Sequence, residues 1–233
     1  MAVVAAAGLL AGLVLGILVF LVLGPFAALV VFVGVSGAVA SACWLAAGVV
    51  VLRLVGGSPP SGATPGEARL ANLIESVSLV VGIPEPALRV LLDPAPNALV
   101  TGRDARRSTL VVTSGLLDRL DRLALEAVVA QQLALIRDGS THSRDVAVTV
   151  LGTAGGLLPP LQRLAARAAG TEQGADVAAV TVTRYPPGLL AALDEVAAGP
   201  EVGGPPALRP LWFVPPGSAA DLALRVETMR ELV

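Results

Sequence analysis

The stretch Leu125–Gly139, "LEAVVAQQLALIRDG", decides how the second half of the chain is read. Apolar residues recur at helical spacing along it, and Gly139 stands where a helix would stop. Two adjacent glutamines, Gln131 and Gln132, interrupt the apolar pattern. By itself such a helix is unremarkable scaffold, so any further meaning of the two amides has to come from the flanking sequence.

Upstream, the order of elements is legible. "EARLANLIESVSLVV" (67–81) has apolar residues at helical spacing and is stopped by Gly82 and Pro84. "LRVLLD" (88–93), "PNALVTG" (96–102) and "STLVVT" (108–113) read as strands, the last two joined by the charged turn "RDARR" (103–107). A short helix follows, then a break near Asp121, then the long apolar helix. Helix, small antiparallel β unit and helices make an α+β pattern.

Nothing before Arg53 carries a charged side chain. That run is more than twice the ~20 apolar residues that cross a bilayer once. Gly24-Pro25 divides it into 3–23 and 27–52, so residues 1–55 read as a two-helix transmembrane hairpin. Arg53 and Arg69 follow the second span, and the hairpin tip carries no positive charge. The positive-inside tendency then places both ends of the hairpin, and the domain after it, on the cytoplasmic side of the cell membrane. "GGSPPSGATPG" (56–66) is a Pro/Gly/Ser-rich linker, and 67–233 forms the domain.

A third uncharged run, "VAVTVLGTAGGLLPPLQ" (146–162), suits a membrane-embedded or a buried apolar helix. Further on, "PPGLLAALDEVAAG" is a helix with Pro at its start and Gly at its end. "RPLWFVPPG" is an extended segment, and "SAADLALRVETMREL" a terminal helix N-capped by Ser218.

Composition narrows the function. The net charge is −2, which argues against nucleic acid as a partner. Cys43 is the single cysteine, so there is no internal disulfide and no Cys-based zinc cluster. Its surroundings make it a small residue of a membrane helix. The turn Arg103–Arg107 holds three arginines and reads as a solvated loop, although such a turn beside a bilayer could touch anionic headgroups.

Several blocks in order resemble the HtpX-type membrane-anchored zinc metalloproteases, relatives of the CAAX prenyl proteases. They are Pro84 and Pro86, Asn97-Ala98, Thr101-Gly102-Arg103, Thr113-x-Gly115-Leu116-Leu117 and Leu125-Glu126-Ala127. Glu172-Gln173-Gly174-Ala175-Asp176 is similar to the family's later E-x-x-A-D motif, and Arg225 stands at the place of its usual arginine. The resemblance runs from about 67 to 233. It implies a mostly helical zincin-like domain behind the hairpin, and zinc as the family's cofactor.

In that family the motif H-E-x-x-H puts two zinc-binding histidines on one helical face and a water-activating glutamate beside the first. Aligned with it, this chain reads Gln131-Gln132-Leu133-Ala134-Leu135. Gln131 offers a neutral amide oxygen, Leu135 has no lone pair, and Gln132 cannot take a proton at neutral pH. Of the ligand positions only Glu172 keeps a carboxylate, and Asp176 would lie just behind it. No metal and no catalytic residue are therefore expected. A polar network of Gln131 and Gln132 with Glu172 and Asp176 is expected at the former metal position.

His142, the one histidine, falls about 10 Å along a continued helix from Leu135. Gly139-Ser140-Thr141 should break that helix, which makes His142 a surface or loop residue. Asp138 and Asp145 could join it only in an unconventional site. The strand Asn97-Ala98-Leu99-Val100-Thr101-Gly102 resembles the family's active-site edge strand, where extended substrate pairs through main-chain groups; an internal or covered strand is the competing reading.

The chain then reads as a membrane-anchored pseudoprotease with a binding, adaptor or regulatory role toward a protein or peptide client. An active metallopeptidase with an unconventional metal site, and a structural subunit of a membrane complex, are the alternatives.

Overall fold

The computed structural model describes residues 2–62, 64–152, 164, 165, 167 and 173–231. The chain begins with two helices, α1 (Ala2–Leu23) and α2 (Pro25–Val55), with Gly24 between them. Gly8, Gly12 and Gly16 are four apart, so they lie on one face of α1. A methyl on Gly8 would strike the Ser36 carbonyl, one on Gly12 would meet Phe32, and one on Gly16 would come within 3.3 Å of the Phe32 Cβ. The descending order of partners makes the two helices antiparallel, and the small residues let their backbones approach closely.

α2 is long and apolar enough to cross a membrane. Its 31 residues span about 46 Å at 1.5 Å each, against about 30 Å of bilayer hydrocarbon. The surplus enters the domain. Ala47 and Val51 are fully buried, while Leu45, Val49 and Leu54 on the same stretch stay exposed.

α3 (Pro65–Val81) starts with Thr64, whose hydroxyl accepts from the Glu67 N–H, and stops at Gly82 in the left-handed region. β1 (Ala87–Leu91), β2 (Ala98–Gly102) and β3 (Ser108–Thr113) form one sheet with β3 in the middle. β2 is antiparallel to β3, but β1 is parallel to it. The sheet is thus mixed, not the antiparallel unit expected. The reason lies in residues 92–97, where Pro94 and Pro96 cannot donate to a ladder. They carry the chain past the end of β3, over Gly115, whose bare Cα leaves room for the Pro94 carbonyl.

Alternation of period two gives the sheet two buried faces. Val90, Ala98, Leu110 and Val112 pack on α3, α4 (Ser114–Arg119) and α5 (Arg122–Arg137), and on α7 (Gln173–Thr183) and α8 (Pro186–Ala198). Leu99 and Val111 face the other way, into a cluster with Val51 of α2, Val148, Leu208, Leu211 and Trp212. The end of the apolar helix is therefore part of the domain's core.

The supposed linker is docked as well. Ser58 exchanges two backbone hydrogen bonds with Val90, at 3.0 and 2.8 Å, and the Arg89 guanidinium donates to the Gly57 carbonyl. These contacts close the outer edge of β1.

Asp121 caps α5 through the Ala124 N–H at 2.8 Å, and Gly139, at φ 69°, ends the segment. α6 (Ser140–Ala147) follows at once, then a turn of π-helix, Val148–Gly152. Of the apolar run 146–162, Val146 packs with Val4 and Ala47, and residues 153–162 lie outside the described residues. A 3-10 turn (Pro206–Leu211) replaces the start of the expected extended segment, and α9 (Ala219–Arg230) closes the chain's described part. Ser218 precedes α9 but does not cap it with its side chain, because its hydroxyl donates to the Pro215 carbonyl instead.

Candidate functional site

α5 carries Gln131, Gln132 and Leu135 into the interior. Both glutamines are fully buried, and Leu135 is nearly so. The Gln132 amide donates to Gln131 Oε1 at 2.5 Å, while Gln132 Oε1 has no hydrogen-bond partner among the described residues. Leu135 packs with Val100, Ile136 and Ala175, which brings the start of α7 beside this turn of α5. Glu172 lies outside the described residues.

Asp176, next to Ala175, finds a different donor from the glutamines expected. Arg225 of α9 clasps it through Nε and Nη2 at 2.6 and 2.8 Å. The third nitrogen donates to the Phe213 carbonyl at 2.6 Å, and the guanidinium lies 4.9 Å from the Phe213 ring centre. Both charged groups are buried. Arg225 can do this because Asp176 offers two oxygens in a plane that matches its fork.

Asn97 and β2 sit at the sheet's other edge, and that edge is occupied. The Phe213 N–H donates to the Ala98 carbonyl at 2.7 Å, and Leu99 bridges Trp212. Asn97 holds the two segments together: its Oδ1 accepts from the Ala98 and Val214 N–H groups, and its amide donates to the Val214 carbonyl at 2.8 Å. At the far end, the Gly102 N–H donates to Asp145 Oδ2 at 2.8 Å. An incoming peptide would meet the chain's own residues 212–214 along Ala98 and Leu99.

α6 supplies two residues whose setting the sequence did not disclose. His142 is buried on a helix, not a surface or loop residue, because α6 restarts directly after Gly139 and packs on α2. Its ring meets Trp44 edge-on at 4.1 Å, and neither ring nitrogen has a hydrogen-bond partner among the described residues. Burial, and then the Arg103 charge, hold its pKa below the ordinary value.

Asp145 is fully buried. Its Oδ2 accepts from the Thr101 hydroxyl at 2.7 Å as well as from Gly102, and its Oδ1 has no partner among the described residues. Burial pushes this carboxyl up to about 7, against the pull of those two donors. The signal for it was an aspartate three residues after the one histidine, at the edge of the apolar run that starts at Val146. Asp138 instead faces solvent beside Arg137. Among the described residues, no three His, Cys, Asp or Glu side chains gather as a metal would require.

No family model matches the chain. Individual relatives do. A Protease HtpX homolog of Dictyoglomus turgidum is 34% identical over 162 residues, 55% of this chain and 53% of the relative. One from Dictyoglomus thermophilum is 43% identical over 83 residues, 36% of this chain and 27% of the relative. One from Caldanaerobacter subterraneus is 37% identical over 90 residues, 38% and 28% of the two chains. The chain thus spans about half the length, or less, of the curated relatives it matches. By these similarities, spread over distinct bacteria, it is a relative of the HtpX-type proteases.

Proposed function

We propose that this chain is a membrane-anchored, non-catalytic homologue of a zinc metalloendopeptidase, acting as a binding, adaptor or regulatory protein. One observation carries the reading. At the place aligned with the zinc helix, Gln131 accepts from Gln132, and Leu135 is packed among apolar side chains.

These residues do not fit zinc. A leucine supplies no lone pair, and a neutral amide oxygen already accepting a hydrogen bond is a poor ligand for an ion that prefers imidazole, thiolate and carboxylate. Gln132 cannot act as a general base. Losing that base alone costs on the order of 10²-fold or more in rate.

The anchor is a hairpin of two spans, 3–23 and 27–52, with the domain on the cytoplasmic side. The apolar, exposed outer faces of α1 and α2 and the charge at Arg53 support it. A client that pairs with β2 must first displace residues 212–214, so binding at that strand would be a regulated step.

Metal analysis of the purified chain tests the reading. Zinc should be substoichiometric, and stoichiometric zinc tied to peptidase activity would favour an unconventional metal site instead. Changing Gln131→His, Gln132→Glu and Leu135→His together should restore zinc binding. A triple variant that folds yet binds none would sink the alignment on which the reading rests. A constant partner in pull-downs, with no transient clients, would favour a structural subunit.

A further inference from the structure

We propose that the turn Arg103–Arg107 is a binding site for the headgroups of anionic phospholipids in the membrane that holds α2. The inference rests on the membrane-anchored reading above and adds a lipid class and a site to it.

Position carries the argument. The turn springs directly from Gly102, and a methyl on Gly48 of α2 would lie 3.2 Å from the Gly102 Cα and 3.4 Å from its nitrogen. The turn therefore begins at the level of residue 48. At this level α2 still presents an apolar outer surface, since Leu45, Val49 and Leu54 are 56%, 53% and 40% exposed. Six residues separate Gly48 from Leu54, about 9 Å along the helix axis. The start of the turn thus falls within the last turns of lipid-facing helix, where hydrocarbon gives way to headgroups. Trp44, which packs on His142, lies one helical turn deeper, and His142 is close enough to feel the charge of Arg103. Aromatic rings of this kind favour the membrane interface.

Chemistry supports the position. Arg103, Arg106 and Arg107 are all exposed, and none has an ion pair among the described residues. The one carboxylate in the turn, Asp104, accepts from the Arg106 and Arg107 N–H groups at 3.0 Å each. That cap, with the Ser108 hydroxyl bonded to the Ala105 carbonyl, holds the turn in a fixed shape. Arg53, also exposed, adds a fourth positive charge on α2 itself. Planar guanidinium groups are suited to phosphate oxygens, and a basic cluster at a bilayer surface concentrates anionic lipid. In sequence the turn looks like a solvated loop. The docking of Gly102 on Gly48 is what moves it to the membrane.

The test uses the full chain reconstituted in phosphatidylcholine vesicles with or without phosphatidylglycerol. Arginines are modified with phenylglyoxal and followed residue by residue by mass spectrometry. Modification of Arg103, Arg106 and Arg107 should slow at least about threefold in the anionic vesicles, as headgroup contact requires. Arg122, at the opposite end of α5 from the Leu135 contact, should keep its rate. Retention of phosphatidylglycerol by the purified chain should fall in the R103Q/R106Q/R107Q variant.

Equal rates in the two vesicle types, for a chain that resists alkaline carbonate extraction, would overturn the site and leave the anchor standing. Extraction by carbonate would overturn the anchor and the site together. Equal protection by inorganic phosphate in detergent would assign the turn to a soluble anion and overturn the lipid proposal.

Discussion

Gly48 of the apolar helix and Gly102 of β2 meet backbone to backbone, and Asp145 closes over the same spot. A methyl on Gly48 would lie 3.2 Å from the Gly102 Cα and 3.3 Å from Asp145 Oδ2. The neighbours are backbone and a carboxylate already held by two donors, so they have little freedom to yield. Gly48→Leu should cost about 1–3 kcal/mol through overpacking. Thermal melting in detergent should show the loss, and limited proteolysis should show faster cleavage near residues 102–108. A variant that melts like the parent would mean that the helix does not dock here.

The carboxyl of Asp145 ties stability to pH. Its ordinary value is 3.8 and burial raises it to about 7 in the folded chain. Between those values the folded state holds a proton that the unfolded state has released, so this group's contribution to stability falls as pH rises through that window. Above about 7 the slope vanishes. Asp145→Asn removes it, so the variant should gain in melting temperature relative to the parent from pH 5 to pH 8. A difference between the two that stays constant over that range would refute the assignment.

Asn97 fastens Val214 to the edge of β2 with two hydrogen bonds, and its Oδ1 also accepts from the Ala98 N–H. Asn97→Ala would leave buried main-chain groups unpaired, at about 1–3 kcal/mol for each. Hydrogen exchange at Phe213 and Val214 should accelerate more than exchange in β3. If an extended client pairs with β2, this variant should also bind it more tightly, which peptide titration would reveal.

Arg225 and Asp176 form a buried pair with matched geometry. Arg225→Met strands a carboxylate and the Phe213 carbonyl, and should destabilise by about 3–5 kcal/mol. A paired Asp176→Leu, Arg225→Met change should recover much of that loss, since apolar replacements of both partners remove the stranded charge. Melting curves of the single and double variants decide it; additive losses would count against the pairing.

Much of the fold is legible in the sequence. The break at Asp121 and the stops at Gly82 and Gly139 are local chemistry, written in a side chain that bonds to a near N–H group or in a residue that tolerates positive φ, whereas the capped start at Thr64 lay inside the stretch read as linker. The apolar run before Arg53 and the period-two strands are equally local. The direction of β1 was not, because parallel pairing depends on where six residues containing two prolines lead the chain. Ser218 looked like a cap, and a nearer carbonyl at Pro215 took its hydroxyl.

At the site, the residue types at positions 131, 132 and 135 are a matter of primary structure alone, and their chemistry toward a metal follows from that. The donor to Asp176, the covering of the β2 edge by Trp212 and Phe213, the burial of His142 and Asp145, and the level of the arginine turn against α2 were decided only in three dimensions. Each joins segments far apart in the chain: 49 residues between Asp176 and Arg225, and 117 between Asn97 and Val214. Local propensity carries no information about such pairs. They follow from which faces must be buried together, and here the end of a membrane-length helix serves as part of that buried core.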